Sequence, residues 1–128
     1  MSMDIDQVIE QLYNSCGTTC PKMSDQAHIE FHGNKVLGAH TVPGLEVHSE
    51  ELAEGIRASI RLRPGIRLEK PVRVCFGILP EHGRQHVILD VDIGDGASAA
   101  FEAFCTFPKA VDVLHRMDAT LKIGRNAE

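Results

Sequence analysis

The chain has no tryptophan, one tyrosine and five phenylalanines among its 128 residues. Aromatic platforms on which nucleobases could stack are therefore scarce. Lysine and arginine (13) are outnumbered by aspartate and glutamate (18), and the net charge of −5 leaves no cationic surface for neutralising phosphates. No nucleic-acid partner is expected. The four cysteines, Cys16, Cys20, Cys75 and Cys105, are too few and too scattered for the disulfide framework of a small secreted domain. No apolar run is long enough for a signal peptide or a membrane span. A reducing cytoplasm is the expected compartment. The chain is long enough to bury roughly two thirds of its unfolded surface and needs no cross-link to fold.

Two hydrophobic periods divide what is there. Ile5, Val8, Ile9 and Leu12 recur at helical spacing behind Asp4, with Gly17 suited to a left-handed stop. Residues 1–26 read as this helix and a linker. From Ala27 the period becomes two. Ala27, Ile29 and Phe31 alternate with polar neighbours, as do Ile56, Ala58, Ile60 and Leu62. The same alternation runs from Ile66 to Ile78, from Val87 to Ile93 and from Ala97 to Ala103. Alternation marks strands with one buried and one wet face. Gly33-Asn34, Pro64-Gly65 and Gly94-Asp95-Gly96 supply turns. The acidic stretch Glu46–Glu54 is ambiguous between a loop and a short helical turn. Residues 27–128 thus form one mainly β domain.

The second half aligns with itself at offsets of 28–30 residues: Cys75 with Cys105, Pro80 with Pro108, His86 with His115, Asp90 with Asp118, Ile93 with Ile123, and Ala97 with Ala127. Such units bury their faces by stacking, and a stack has open ends that need a cap or a partner. The N-terminal helix is placed to cap one end. The C-terminal IGRNAE stops where the preceding IGDGAS runs into another strand. The domain therefore reads as cut in mid-rung, either a piece of a longer protein or an open end that pairs with another subunit.

The run His86 to Pro108, HVILDVDIGDGASAAFEAFCTFP, with AVDVLHRMDA after Lys109, resembles the core of the SufB/SufD-like proteins of the SUF iron–sulfur assembly system. It is most similar to the short SufBD-like branch of archaea and anaerobic bacteria. IEFHGNKVLGAHTVPGLEV from Ile29 and KPVRVCFG from Lys70 share the likeness, which covers roughly residues 27–128. The resemblance implies a right-handed parallel β-helix behind the short N-terminal helix. It also implies a non-enzymatic scaffold that pairs with a SufB/SufD-like subunit or with itself and docks a SufC-like ATPase. An iron–sulfur cluster then belongs to the full assembly rather than to this chain alone. The family's cluster-assembly and ATPase-docking residues lie mainly in its C-terminal part, which has no counterpart here. The chain also lacks the G-x-x-x-x-G-K-[ST] loop that cradles a nucleoside triphosphate.

Thiolate is the natural ligand of iron–sulfur clusters, so Cys105 and Cys75 are the candidate metal residues. Cys105, within FCTFP, matches the family pattern best. It also shares its phase with Phe101, Ala103 and Phe107, which makes it a core residue, while Cys75 shares the outward phase of Arg67 and Arg73. For Cys105, core packing outweighs ligation. Cys16 and Cys20 share a helix face only if the last turn continues past Gly17. His82 and His86 of PEHGRQH could meet across a turn at Gly83 and serve a small metal-dependent enzyme, the rival reading. That reading lacks the H-x-H with a following Glu of cupin-like sites, and solvated turn histidines account for the pattern better. Arg57, Arg61, Arg63, Arg67 and Arg73 form an outward stripe, fit either to dock an acidic partner or to block stray strand pairing. Asp90, Asp92 and Asp95 read as a wet face.

Overall fold

A computed structural model describes residues 4–18 and 25–128. Helix α1 (Ile5–Ser15) is followed by β1 (His28–His32), β2 (Lys35–His40), β3 (Leu45–Leu52) and β4 (Gly55–Leu62). Then come β5 (Val72–Gly77), β6 (His82–Ile93), β7 (Phe101–Thr106) and β8 (Asp112–Ile123). The helix begins in a capping box: Asp4 Oδ1 accepts the Gln7 N–H at 2.8 Å, and Gln7 Oε1 accepts the Asp4 N–H at 3.2 Å. It ends at Cys16, with Gly17 at φ 79°, a conformation that glycine adopts without steric cost.

The strands form two four-stranded sheets, ordered β2-β1-β5-β7 and β3-β4-β6-β8. Their inner faces share one core, with Phe31, Val72, Val74 and Phe76 from the first sheet and Ile56, Ile60, Leu62, Val87 and Val91 from the second. Phe31 stacks on Phe76 at 5.0 Å between ring centroids. Alternation put these residues inside, because successive side chains of a strand point to opposite faces.

The internal repeat is visible as parallel pairing. β6 runs beside β8 with Ile93 opposite Ile123, and β4 lies beside β6 with Leu62 opposite Ile93. In the other sheet β5 pairs with β7, Val72 opposite Phe101. The register is continuous along each pair, so the drifting offsets of the sequence alignment do not occur inside strands. His86 faces Arg116 rather than His115, and Asp90 faces Thr120 rather than Asp118. The one-residue difference between the two sheets falls in the connections, 78–81 against 107–111.

Several expectations need correction. Both sheets are mixed, and no solenoid is indicated, because β2 and β3 run antiparallel to β1 and β4. The physical cause is the two short turns at Gly33-Asn34 and Ala53-Glu54, since only antiparallel strands can be joined so tightly. The acidic stretch from Glu46 is neither loop nor helix but most of β3, whose acids face Arg61 and Arg57 of β4. Helix α1 does not sit at an end of the stack. It covers the outer face of the β2-β1-β5-β7 sheet, burying Leu12 and Tyr13 there with Cys75.

Candidate functional site

The face beneath α1 is where chemistry-bearing residues converge. In register across the sheet, Gly38 of β2, Glu30 of β1, Cys75 of β5 and Phe104 of β7 form one row. The helix follows that row. A side chain at Gly38 would lie 3.1 Å from Ile9 Cδ1, and one at Gly77 would lie 2.3 Å from Leu12 Cδ2. Tyr13 meets Phe104 edge-on at 6.4 Å between centroids. Small residues in the sheet thus let the helix lie close, and its apolar side seals Glu30 and Cys75, both at 0% exposure.

Glu30 Oε1 accepts from His28 Nδ1 at 2.6 Å, and the His28 ring stacks on His40 at 5.5 Å. This side opens into a groove of about 440 Å³ between α1 and β2, with Asp6 and Glu10 on its helical wall. Sequence reasoning passed over Glu30 because it sits at an outward, nominally wet position of β1. Only the covering helix makes it internal.

The thiols gather at the other end of the helix. Cys16, at its C-terminus, is half-buried. Burial first, then the neighbouring Cys16 and the Glu30 carboxyl, push the Cys75 thiol up to about 12. Burial also raises Cys16 and, with the Cys16 thiol nearby, Cys105. Arg73 ties the segment after the helix to this place. It reaches Thr18 Oγ1 at 3.4 Å and Glu102 at 3.2 Å, with its guanidinium over the Phe104 ring at 5.6 Å.

The two cysteines singled out from the sequence are not brought together. Cys105 lies opposite Phe76, and Cys75 lies opposite Phe104, so the pair is one residue out of register and points to opposite faces. Their expected burial is also reversed. Cys75 has the outward phase but is covered by α1. Cys105 has the inward phase but is exposed, because β7 is the edge strand of its sheet. Among the described residues no three His, Cys, Asp or Glu side chains are grouped to hold a metal. A buried thiol held protonated and an exposed one on the other face do not fit a shared cluster site. Cys20 lies outside the described residues.

The histidines of PEHGRQH do not meet across a turn. Residues His82–Ile93 are one continuous strand, which sets His82 and His86 about 13 Å apart along it. His86 Nε2 bonds Asp118 Oδ2 at 2.8 Å. That bond, with Arg116 close by, holds the Asp118 carboxyl below its usual range. His115 points inward instead: its Nδ1 bonds Gln85 Oε1 at 2.7 Å, and Gln85 Nε2 donates to the carbonyls of Gly33 and Gly77. The arginine stripe is largely matched within the fold, by Arg63–Glu46 at 2.9 Å, Arg61–Asp92 at 3.8 Å and the Arg73–Glu102 pair. Solvent-exposed ion pairs of this kind contribute little.

A second feature is the edge formed by β7 and β8. Met117, Leu121 and Ile123 are 42%, 62% and 57% exposed, although they stand in register with the buried Val87, Val91 and Ile93. They continue the core columns onto a strand with no neighbour on its far side among the described residues. Phe101 and Ala103 do the same on β7.

A mainly β protein of two mixed sheets, with one helix-covered face and one open apolar edge, is the class that these features define. No protein-family model matches the chain, and no solved structure matches it. Two curated proteins do. An iron-sulfur cluster assembly SufBD family protein of Pyrococcus horikoshii is 34% identical over 101 residues, 79% of this chain and 31% of that protein. One from Methanocaldococcus jannaschii is 24% identical over 131 residues, 98% of this chain and 42% of the relative. The chain is SufB/SufD-like, and it spans only 31% and 42% of the length of these relatives.

Proposed function

We propose that the chain takes part in iron–sulfur cluster assembly as a non-catalytic cytoplasmic scaffold component, acting through association with other proteins. The names of its two relatives support the process. The open edge at β7 and β8 carries the mode of action. Exposed Leu121 and Ile123, aligned with buried Val91 and Ile93, present both unpaired backbone groups and apolar columns that another strand would complete. The occupant we favour is a SufB/SufD-like subunit or a second copy of this chain, with a SufC-like ATPase joining the assembly. No helix among the described residues is long and apolar enough to cross a membrane.

The rival metal-dependent enzyme draws no support from His82 and His86, which are spread along one strand, with His86 engaged by Asp118. Anaerobic reconstitution with iron and sulfide tests the scaffold reading. The chain alone should yield no stable visible chromophore, whereas a stoichiometric one that disappears in Cys105→Ser would make Cys105 a ligand and overturn the reading.

A further inference from the structure

Strand β8 is the outermost of its sheet among the described residues, and its two faces differ. Its odd-numbered residues from Val113 to Ile123 continue the core side of β6. The even-numbered ones, Asp112, Leu114, Arg116, Asp118, Thr120 and Lys122, stand on the solvent side. With β8 taken as an edge through which the chain associates, as proposed above, we infer that it takes β8 of a second copy, antiparallel about a twofold axis at Met117. The strand is its own charge complement in that register.

A twofold axis perpendicular to the sheet keeps core side with core side, so only residues of equal parity stand opposite one another. With Met117 on the axis, Asp112 meets Lys122 and Arg116 meets Asp118, each contact occurring twice. On the core side Val113 meets Leu121, and Val111 meets Ile123, so apolar residues left exposed in the single chain cover one another. Opposite charges directly across a strand pair stabilise it, and like charges oppose it. The neighbouring registers fail on that count. One step either way sets Arg116 on Arg116 or Asp118 on Asp118, and two steps set Asp112 on Asp118 or Arg116 on Lys122. Within the chain Asp118 accepts from His86 and Arg116, and Asp112 from Arg84, all at exposed positions where a further cation can join. The other outer strand of this sheet, β3, is a poorer occupant. Its core side turns polar at Ser49 and Glu51, which would lie against the apolar column of β8.

Two charge-reversed full-length chains test the register without touching the apolar column. Lys122→Glu sets two acids opposite the two Asp112 carboxylates of a dimer, and Asp112→Lys sets two bases opposite the two Lys122 ammonium groups. Sedimentation of either variant alone should show self-association weakened roughly tenfold. An equimolar mixture should recover the wild-type level, because the mixed dimer pairs aspartate with lysine at one contact and glutamate with lysine at the other. Under mild oxidation Met117→Cys should cross-link to its own counterpart, mapped by mass spectrometry as a peptide joined to an identical one. Single variants that associate like the wild type, a mixture that restores nothing, growth beyond a dimer, or a complex with a SufB/SufD-like subunit only would each overturn the inference and leave the edge an interface. A chain that associates with neither partner overturns the inference and the proposed mode of action together.

Discussion

Leu12→Ala probes the link between helix and sheet on which the buried site depends. Leu12 is fully buried, and its Cδ2 occupies the space left by the missing side chain of Gly77. Removing three carbons forfeits about 2.4 kcal/mol at about 0.8 kcal/mol per methylene, and a residual cavity raises the cost to roughly 2.5–4 kcal/mol. The upper bound is set by docking. An 11-residue helix is not stable once detached, so beyond a certain strain α1 leaves the sheet and the remaining core stays folded. Both outcomes expose Cys75. In a chain whose other cysteines are serine, alkylation of Cys75 should accelerate roughly 50-fold, since about 2.5 kcal/mol lost from the closed state is a factor of that order in opening. Urea denaturation provides the second readout. A midpoint equivalent to less than about 0.5 kcal/mol of change, with unaltered Cys75 labelling, would mean that α1 does not seal the site.

Gly55→Ala should cost about 1–3 kcal/mol in urea denaturation, because its Cβ would meet the His86 carbonyl oxygen, a backbone atom of β6, at 2.6 Å. A neutral result would show that β4 and β6 lie further apart. Burial lowers both His32 and His115 from the ordinary value of 6.5, so the unfolded chain binds more protons in the window between the lowered values and 6.5. Their contribution is complete above 6.5 and is lost as pH falls below it. His32 Nε2 accepts the Leu79 N–H at 3.1 Å, a bond that protonation breaks. Chemical denaturation across this window should therefore show a loss of stability toward acid that is shallower in His32→Gln, and an equal slope in both proteins would refute the assignment.

Alternation made the strands and core legible: Ile56, Ile60, Val87 and Val91 are inside because the period of two put them there. The helix was legible from Asp4, its apolar stripe and Gly17. β3 was not, because its core-facing positions after Val47 give way to Ser49 and Glu51, and its stability comes from pairing with β4. Phase fixes the face of a strand on which a residue sits but not what lies over that face. The outward phase of Cys75 and Glu30 predicts a wet face, whereas α1 covers both, and the inward phase of Cys105 predicts core, whereas its strand is an edge. The repeat located Ile93 and Ile123 correctly as neighbours. It misaligned the cysteines because the extra residue lies in the connection before β8, downstream of Cys105.

Association through the open edge of β7 and β8 is the central claim, and sedimentation of the chain over a range of concentrations, alone and with a SufB/SufD-like subunit, tests it most directly. Self-association or a stable complex is expected, and Leu121→Lys or Ile123→Lys should weaken it by about two orders of magnitude by placing an unpaired charge in an apolar contact. A chain that stays monomeric at the highest concentration and binds no such subunit, with residues 117–128 protected from hydrogen exchange, would contradict the account.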